Sequence, residues 1–527
     1  AINNGLFIIT PLRQPVHWML AGKWVLYVIK LFLLLASRRV TLIARLMEMI
    51  MTTRREFMKT SLASAMLGAA PSYVLASQGA ANGAVDGVRR YTLTAGKAQH
   101  LFYDDPSPTD LWLYNRQTPG PLISAVKGDV LDVEFINNLD QPTTVHWHGI
   151  RNINAMDGVP GLTQAAVEPG ERFHYRFPLN DAGTFWYHAH NMAWEQVARG
   201  LYGPIVVHDK PEQGGQNAGQ GGASPRDVLI VADDWLMTEA DQIDGDSFGN
   251  LHQWSHGGRL GNTLTINGKS RPAIAVPSEG PVRLRLINVA NARILRFALS
   301  GRQAMKVICI DGSPCQPFTT GQLTLGPAQR IDVEIADSSM LKELVEVSFE
   351  EDLVAARFEP TLASETANTS PAQPMPYYPA PSPLGARVVD IHMQGGAMGN
   401  LTSAIFEGEE RGLRDLAINE SKLWAFNGMV GGYDVTLADV AVGEAVVLKV
   451  WNDSSWPHSM HLHGQHFWVN STEFGEQARP LLRDTYLMQP NEKADLIFVA
   501  DNPGAWLFHC HMLEHHAAGM GGVIVVS

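Results

Sequence analysis

Cysteine is nearly absent: Cys309, Cys315 and Cys510 are all that 527 residues contain. That excludes a disulfide framework as the source of stability. Cys309 and Cys315 flank the turn Asp311-Gly312-Ser313-Pro314, where a disulfide and two buried thiols are both open readings. Charge is limited too, at 18% Asp, Glu, Lys and Arg, and its balance is acidic. The net charge is −13, and residues 1–60 carry nine Lys/Arg against two Asp/Glu, so the rest of the chain is more acidic still. An acidic body argues against nucleic acid or anionic membrane as partner. Long unbroken apolar runs are also missing. The best, Trp18 to Ala36, is interrupted by Lys23 and Lys30, which is heavily charged for a membrane helix.

What the N-terminal region does contain is Thr53-Arg54-Arg55-Glu56-Phe57-Met58-Lys59, followed by a modest apolar segment, Ser61 to Leu75, and small residues near Ala76. This resembles a twin-arginine export signal, so residues 51–87 are read as signal peptide and leader. Met51 directly precedes the motif, and residues 1–50 are read as upstream or non-native sequence. The expectation is an exported protein, periplasmic or secreted, with no stable membrane insertion once mature.

The body repeats itself. Gly128-Asp129-Val130 opens a strand-like run that reaches His146-Trp147-His148-Gly149. Gly443-Glu444-Ala445 opens another that reaches His461-Leu462-His463-Gly464. The spacing from glycine to first histidine is eighteen residues in both. Pro169 to His190 and Pro490 to His511 are likewise both twenty-one residues, ending in His188-Ala189-His190 and His509-Cys510-His511. A middle copy, at Gly280-Pro281-Val282 and Gly326-Pro327-Ala328, has the strands without the histidines. Fixed internal spacing means repeated units. Short alternating strands with Gly, Pro and Asn turns make each unit a β-sandwich. The Gly/Gln/Ser-rich stretch 211–225 and the Pro/Ala-rich stretch 366–383 read as linkers, giving domains at 88–212, 226–370 and 385–527. Helical content is expected to be low, with short pieces foremost near Met192–Arg199 and His511–His516.

Side chains alternate faces along a strand, so each His-x-His pair shares a face while Cys510 points away from His509 and His511. The thiol then belongs to one site and its two covalent neighbours to another. Cys510, His515 and Met520, joined by His458, make the His/His/Cys set with an axial thioether that suits a blue copper ion. The remaining eight imidazoles, from the first and third domains, are too many for one metal and about right for three. Zinc would accept subsets of these donors, but it has no redox chemistry and would leave the shared cysteine without purpose.

With all four clusters, His146-x-His148-Gly149, His188-x-His190, His458-x-x-His461-x-His463 and His509-Cys510-His511 with His515 and Met520, residues 88–527 resemble the three-domain multicopper oxidases. The resemblance implies an all-β chain of three consecutive cupredoxin-like Greek-key β-sandwich domains. It implies four copper ions: a type 1 ion on His458, Cys510 and His515 with Met520 axial, a type 2 ion on His146 and His461, and a type 3 pair on His148, His188, His190, His463, His509 and His511. It also implies one-electron oxidation of a small molecule at the type 1 ion, transfer through Cys510, and four-electron reduction of O2 to water. Asp157 and Glu514 stand where the family uses acidic residues for proton supply. The other histidines, His174 among them, are read as non-ligands, with His466 and His516 nearest the sites.

Substrate is less legible. Copper-detoxifying relatives carry a dense methionine insert. The 19 methionines here are scattered, with Met393 and Met398 the nearest thing to a cluster. A laccase-like oxidase of phenols or aromatic amines is therefore expected first, a cuprous oxidase for copper tolerance second. A non-catalytic scaffold is a remote third. The axial Met520 implies a low-to-middle redox potential.

Overall fold

A computed structural model describes residues 82–85, 87–105, 107–209, 226–348, 351–361, 378–474 and 478–527. The export motif and residues 1–50 lie outside the described residues. Everything described belongs to the compact unit Ser72–Ser527.

The run Val130–Asn138 (VLDVEFINN) alternates faces, burying Leu131, Val133 and Phe135 completely. It lies parallel to Val88–His100 and antiparallel to Arg172–Pro178. The same arrangement recurs twice. Val282–Asn288 runs parallel to Arg226–Trp235 and antiparallel to Arg330–Ile335. Ala445–Asn452 runs parallel to Arg387–Gly395 and antiparallel to Lys493–Val499. These are the three copies of the sequence repeat, and each forms the centre of one sheet.

A second sheet accompanies each first one. In the first it is ordered Ile123–Val126, Tyr202–His208, Gly183–Ala189, Val145–His148. In the last it runs Thr436–Val440, Gly521–Val526, Gly504–Cys510, His458–Leu462, Thr485–Met488. Inner faces of paired sheets bury apolar side chains against each other, with separate clusters around Val133, Leu284 and Leu448. All histidine motifs fall on the second sheets, and the middle copy has none there.

Strand pairing sets the register of the motifs. His146 sits opposite His188, and His461 opposite His509. Helix is sparse, as expected, but its bounds differ. Ala193–Gln196 is shorter than foreseen: Met192 precedes it in a left-handed backbone, and residues 197–200 are already a turn. The last helix is Leu513–Ala517, since His511 and Met512 are still leaving the strand. Leu251–Ser255 and Leu413–Glu420 are additional helices that periodicity did not signal. Cys309 and Cys315 are both free and buried, which settles the open alternative for thiols.

Candidate metal centres

Three buried donors meet around Cys510. Its Sγ is 3.5 Å from His458 Nδ1 and 3.7 Å from His515 Nδ1, and the two Nδ1 atoms are 3.0 Å apart. Each ring is fixed from behind. His515 Nε2–H donates to the carbonyl of His256 at 2.7 Å. Ser454 donates its hydroxyl proton to Asn452 Oδ1, so its oxygen accepts from His458 Nε2–H at 2.9 Å. A carbonyl only accepts, so these bonds place both ring protons on Nε2. Two bare nitrogens then face each other with no proton between them, an arrangement that a cation resolves. Burial, with the neighbouring ring, holds His458 far below the usual imidazole range, and burial lowers His515 to about 4, so both rings are neutral. Burial pushes the Cys510 thiol up to about 12, against the N–H groups that favour its thiolate. A metal ion would have to displace that proton. Met520 is fully buried, its carbonyl accepting from Cys510 N and its N–H donating to His515 O.

The flanking residues turn to a second cluster. His509 Nε2 stands 3.0 Å from His463 Nε2, and His511 Nε2 stands 3.3 Å from His188 Nε2. Side-chain nitrogens gather into two trios, His148/His188/His511 and His190/His463/His509, with His146 and His461 bridging them beside His148. All eight are buried. Here too the rings are held by acceptors. His146 Nδ1–H donates to Asp157 O and His461 Nδ1–H to Asp484 O, both at 2.8 Å. The inward atoms His146 Nε2, His461 Nε2 and His148 Nδ1 have no hydrogen-bond partner among the described residues. Buried polar atoms are rarely left so. Their convergence is the fit expected of sites for imidazole-seeking transition ions.

Two carboxylates brace this cluster. Asp157, fully buried, accepts from His463 Nδ1–H at 2.8 Å through Oδ2 and from His146 through its carbonyl. The chain reaches that position by a turn at Gly158 (φ +85°), where an added Cβ would lie 1.8 Å from Val145 O. Asp484 is the counterpart in the third sheet pair, and sequence reasoning missed it. Its Oδ1 lies 3.2 Å from His148 Nε2, and Thr485 Oγ1 is 3.0 Å from the same nitrogen. Arg330, from the middle sheet pair and fully buried, grips Asp484 at 2.7 and 2.5 Å. Burial raises the Asp484 carboxyl, but Arg330, with His461 and His466, more than reverses this and holds it well below the usual carboxylate range. Gly149 leaves room for this grip, since a Cβ there would meet Arg330 Nη2 at 2.4 Å.

Glu514 lies on the last helix, between Cys510 and His515 in the chain. Asn291 donates to its Oε1 at 2.9 Å, while Oε2 is buried without a partner among the described residues. Burial raises its carboxyl above the usual range. The middle sheet pair, which adds no donor to these groups, thus supplies Asn291, the His256 carbonyl and Arg330 to the sites of its neighbours. Spacing signals none of these, because their partners are 154 to 259 residues away. Ser454, four residues before His458, was findable as a local turn. His466 donates to Gly149 O, and His516 packs its ring 4.3 Å from that of His509; neither belongs to the gathered donor sets. His174 pairs with Asp132 at the surface.

Three multicopper oxidase family models match the chain, over residues 97–212, 226–337 and 409–527. It is 31% identical to multicopper oxidase MmcO of Mycobacterium tuberculosis over 77% of this chain and 81% of that one. It is 26% identical to laccase-1 of Cryptococcus neoformans, over 83% and 80%. A multi-copper oxidase structure from Pseudomonas thermotolerans superposes with TM-score 0.67 at 30% identity, covering 84% of this chain and 99% of that one. A Campylobacter jejuni multicopper oxidase, described as a metallo-oxidase, gives 0.67 at 26%, covering 84% and 93%. The chain belongs to the multicopper oxidases. It is an oxidoreductase built from cupredoxin-like β-domains, of a family that binds copper.

Proposed function

We propose that this protein is a laccase-like oxidase that takes single electrons from phenols or aromatic amines and delivers them to O2, forming water. One observation carries the reading: Cys510 joins two buried donor clusters, its thiol lying in one and its neighbours His509 and His511 in the other. His458, Cys510, His515 and Met520 would hold a type 1 copper. His146 and His461 would hold a type 2 ion, and His148, His188, His190, His463, His509 and His511 a type 3 pair. Bound copper supplies the one-electron acceptor at the first cluster and the O2-reducing centre at the second.

The chain's own residues do the rest. Asp157 keeps His463 and His146 in the tautomer that presents Nε2 inward, and Asp484 with Thr485 does the same for His148 Nδ1. Asp157, bonded to His463, and the buried carboxyl of Glu514, next to His515 in the chain, would supply protons for oxygen reduction. Trp424 packs its ring 4.9 Å from His458 and 4.5 Å from His515 and keeps water from the first cluster. The sheet pairs support domains at 88–212, 226–370 and 385–527, and the motif at residues 53–59 supports export by the twin-arginine route. N-terminal sequencing of exported protein tests the latter; an uncleaved N-terminus contradicts it.

A second reading, oxidation of cuprous ion for copper tolerance, draws on Met398. Met393 is a core side chain, fully buried, but Met398 is 75% exposed. Ala397, beside it, is tied to Ser255 and Trp456 near the first cluster. Oxygen uptake by copper-loaded protein decides between the two. Fast turnover of a simple methoxyphenol with slow turnover of stabilised cuprous ion supports the laccase reading; the reverse overturns it.

A further inference from the structure

His515 does not reach the surface. It is fully buried, and its Nε2–H is spent on the His256 carbonyl at 2.7 Å. What stands over it is a segment of the middle sheet pair, the helix Leu251–Ser255 and its C-cap His256. The outer side of that segment carries two imidazoles. His252 is exposed and His256 half-buried, and their ring centroids are 3.9 Å apart. Trp456 flanks them, its ring 5.1 Å from that of His256.

The pair is ordered before any ligand arrives. Asn250 caps the helix, accepting from His252 N and Gln253 N through its side chain. His256 Nδ1–H donates to His252 O at 2.7 Å, with Ser255 Oγ 2.9 Å away. The carbonyl fixes the proton on Nδ1, so Nε2 of His256 is the bare nitrogen. Histidines at i and i+4 on a helical turn share a face. Two imidazoles held this close, one with a fixed rotamer and tautomer, offer a chelating pair to borderline divalent ions.

We propose that His252 and His256 form an outer binding site for a divalent transition ion of the zinc or copper(II) class, and that its occupancy covers the approach to His515 and slows reductant oxidation. The same residue, His256, bears the chelating ring outside and the carbonyl that anchors His515 inside. An ion there would stand on the segment whose carbonyl caps His515 Nε2. The proposal rests on the reading of His458, Cys510 and His515 as a type 1 copper site, because only then is that approach the one a reductant uses.

The test uses copper-loaded protein, with zinc ion as a redox-silent probe. Bound zinc is measured by equilibrium dialysis, phenol turnover is followed as zinc is added, and the blue absorption band is recorded in the same samples. His252→Ala and His256→Ala are compared with wild type; the latter keeps the 256 carbonyl. Loss of one of two ligands should weaken zinc binding by no less than roughly 10- to 100-fold, the cost of losing even a supporting partner of a metal site. The zinc concentration that halves turnover should rise in step, with the blue band unchanged. Zinc binding and inhibition that are the same in both variants as in wild type would overturn the proposal. Absence of any blue band before zinc is added would instead overturn the type 1 reading on which it rests.

Discussion

His458 Nδ1 and His515 Nδ1 face each other at 3.0 Å, and the backbone carbonyl and hydroxyl behind the two rings take both imidazole protons away from the gap. Two lone pairs at that distance in a buried site repel. Without metal the arrangement is costly; a bound cation would relieve it, held by the two nitrogens and Cys510 Sγ. The larger cluster repeats this at His463 and His509.

Copper-free protein should therefore be the less stable form, and its stability should depend on pH in a defined direction. Burial lowers His515 and His516 from 6.5 to about 4 in the folded chain. Between those values the unfolded chain binds more protons than the folded one, so stability rises with pH and is lost as pH falls from 6.5 toward 4. Denaturant unfolding of copper-free protein at intervals across that window should show a steadily falling midpoint. A flat midpoint would contradict the neutral, buried state of these rings.

Cys510→Ser should separate the two clusters. The variant should fold, lose the blue band, and keep metal at the histidine trios, because no ligand there is touched. Oxygen uptake with a phenol should fall to background. A variant that retained phenol-driven turnover would show that electrons bypass residue 510.

Asp157→Asn keeps the shape but loses the carboxylate that accepts from His463. Supporting partners of this kind are worth about 10- to 100-fold in metal affinity or activity. Turnover should fall by that order while the blue band, which depends on the other cluster, stays. Glu514→Gln should reduce turnover with copper content intact. Full activity in both variants, fully loaded, would remove these carboxylates from the reaction.

Arg330 joins all three sheet pairs, donating to Thr184 O and Ala328 O as well as to Asp484. Arg330→Met leaves Asp484 buried and unpaired, and breaking a buried pair in this way costs about 3–5 kcal/mol. Replacing Asp484 by Asn in the same chain should restore part of that loss. A double variant no more stable than Arg330→Met would contradict the assignment of the loss to the stranded charge.

The sequence carried the large features because they are periodic or local. Eighteen- and twenty-one-residue spacings predict the three sheet pairs, and alternation along Phe508-His509-Cys510-His511 predicts that the thiol and its neighbours serve different sites. The histidines of these motifs lie in buried groups whose side-chain nitrogens converge. What stayed hidden is contact across the sheet pairs: Arg330 on Asp484, Asn291 on Glu514, the His256 carbonyl on His515. Such contacts leave no spacing signal, since either partner alone reads as an ordinary charged or polar residue. The short helices near 251 and 413 were missed because five to eight residues give periodicity too little length to register.

The most direct test of the central claim, that electrons enter at one cluster and meet O2 at another, is the stoichiometry of oxygen consumption by copper-loaded protein oxidising a methoxyphenol. The account predicts one O2 consumed for every four one-electron oxidations, with no hydrogen peroxide accumulating. Peroxide released in proportion to phenol oxidised, or no uptake by protein carrying its full copper, would contradict it.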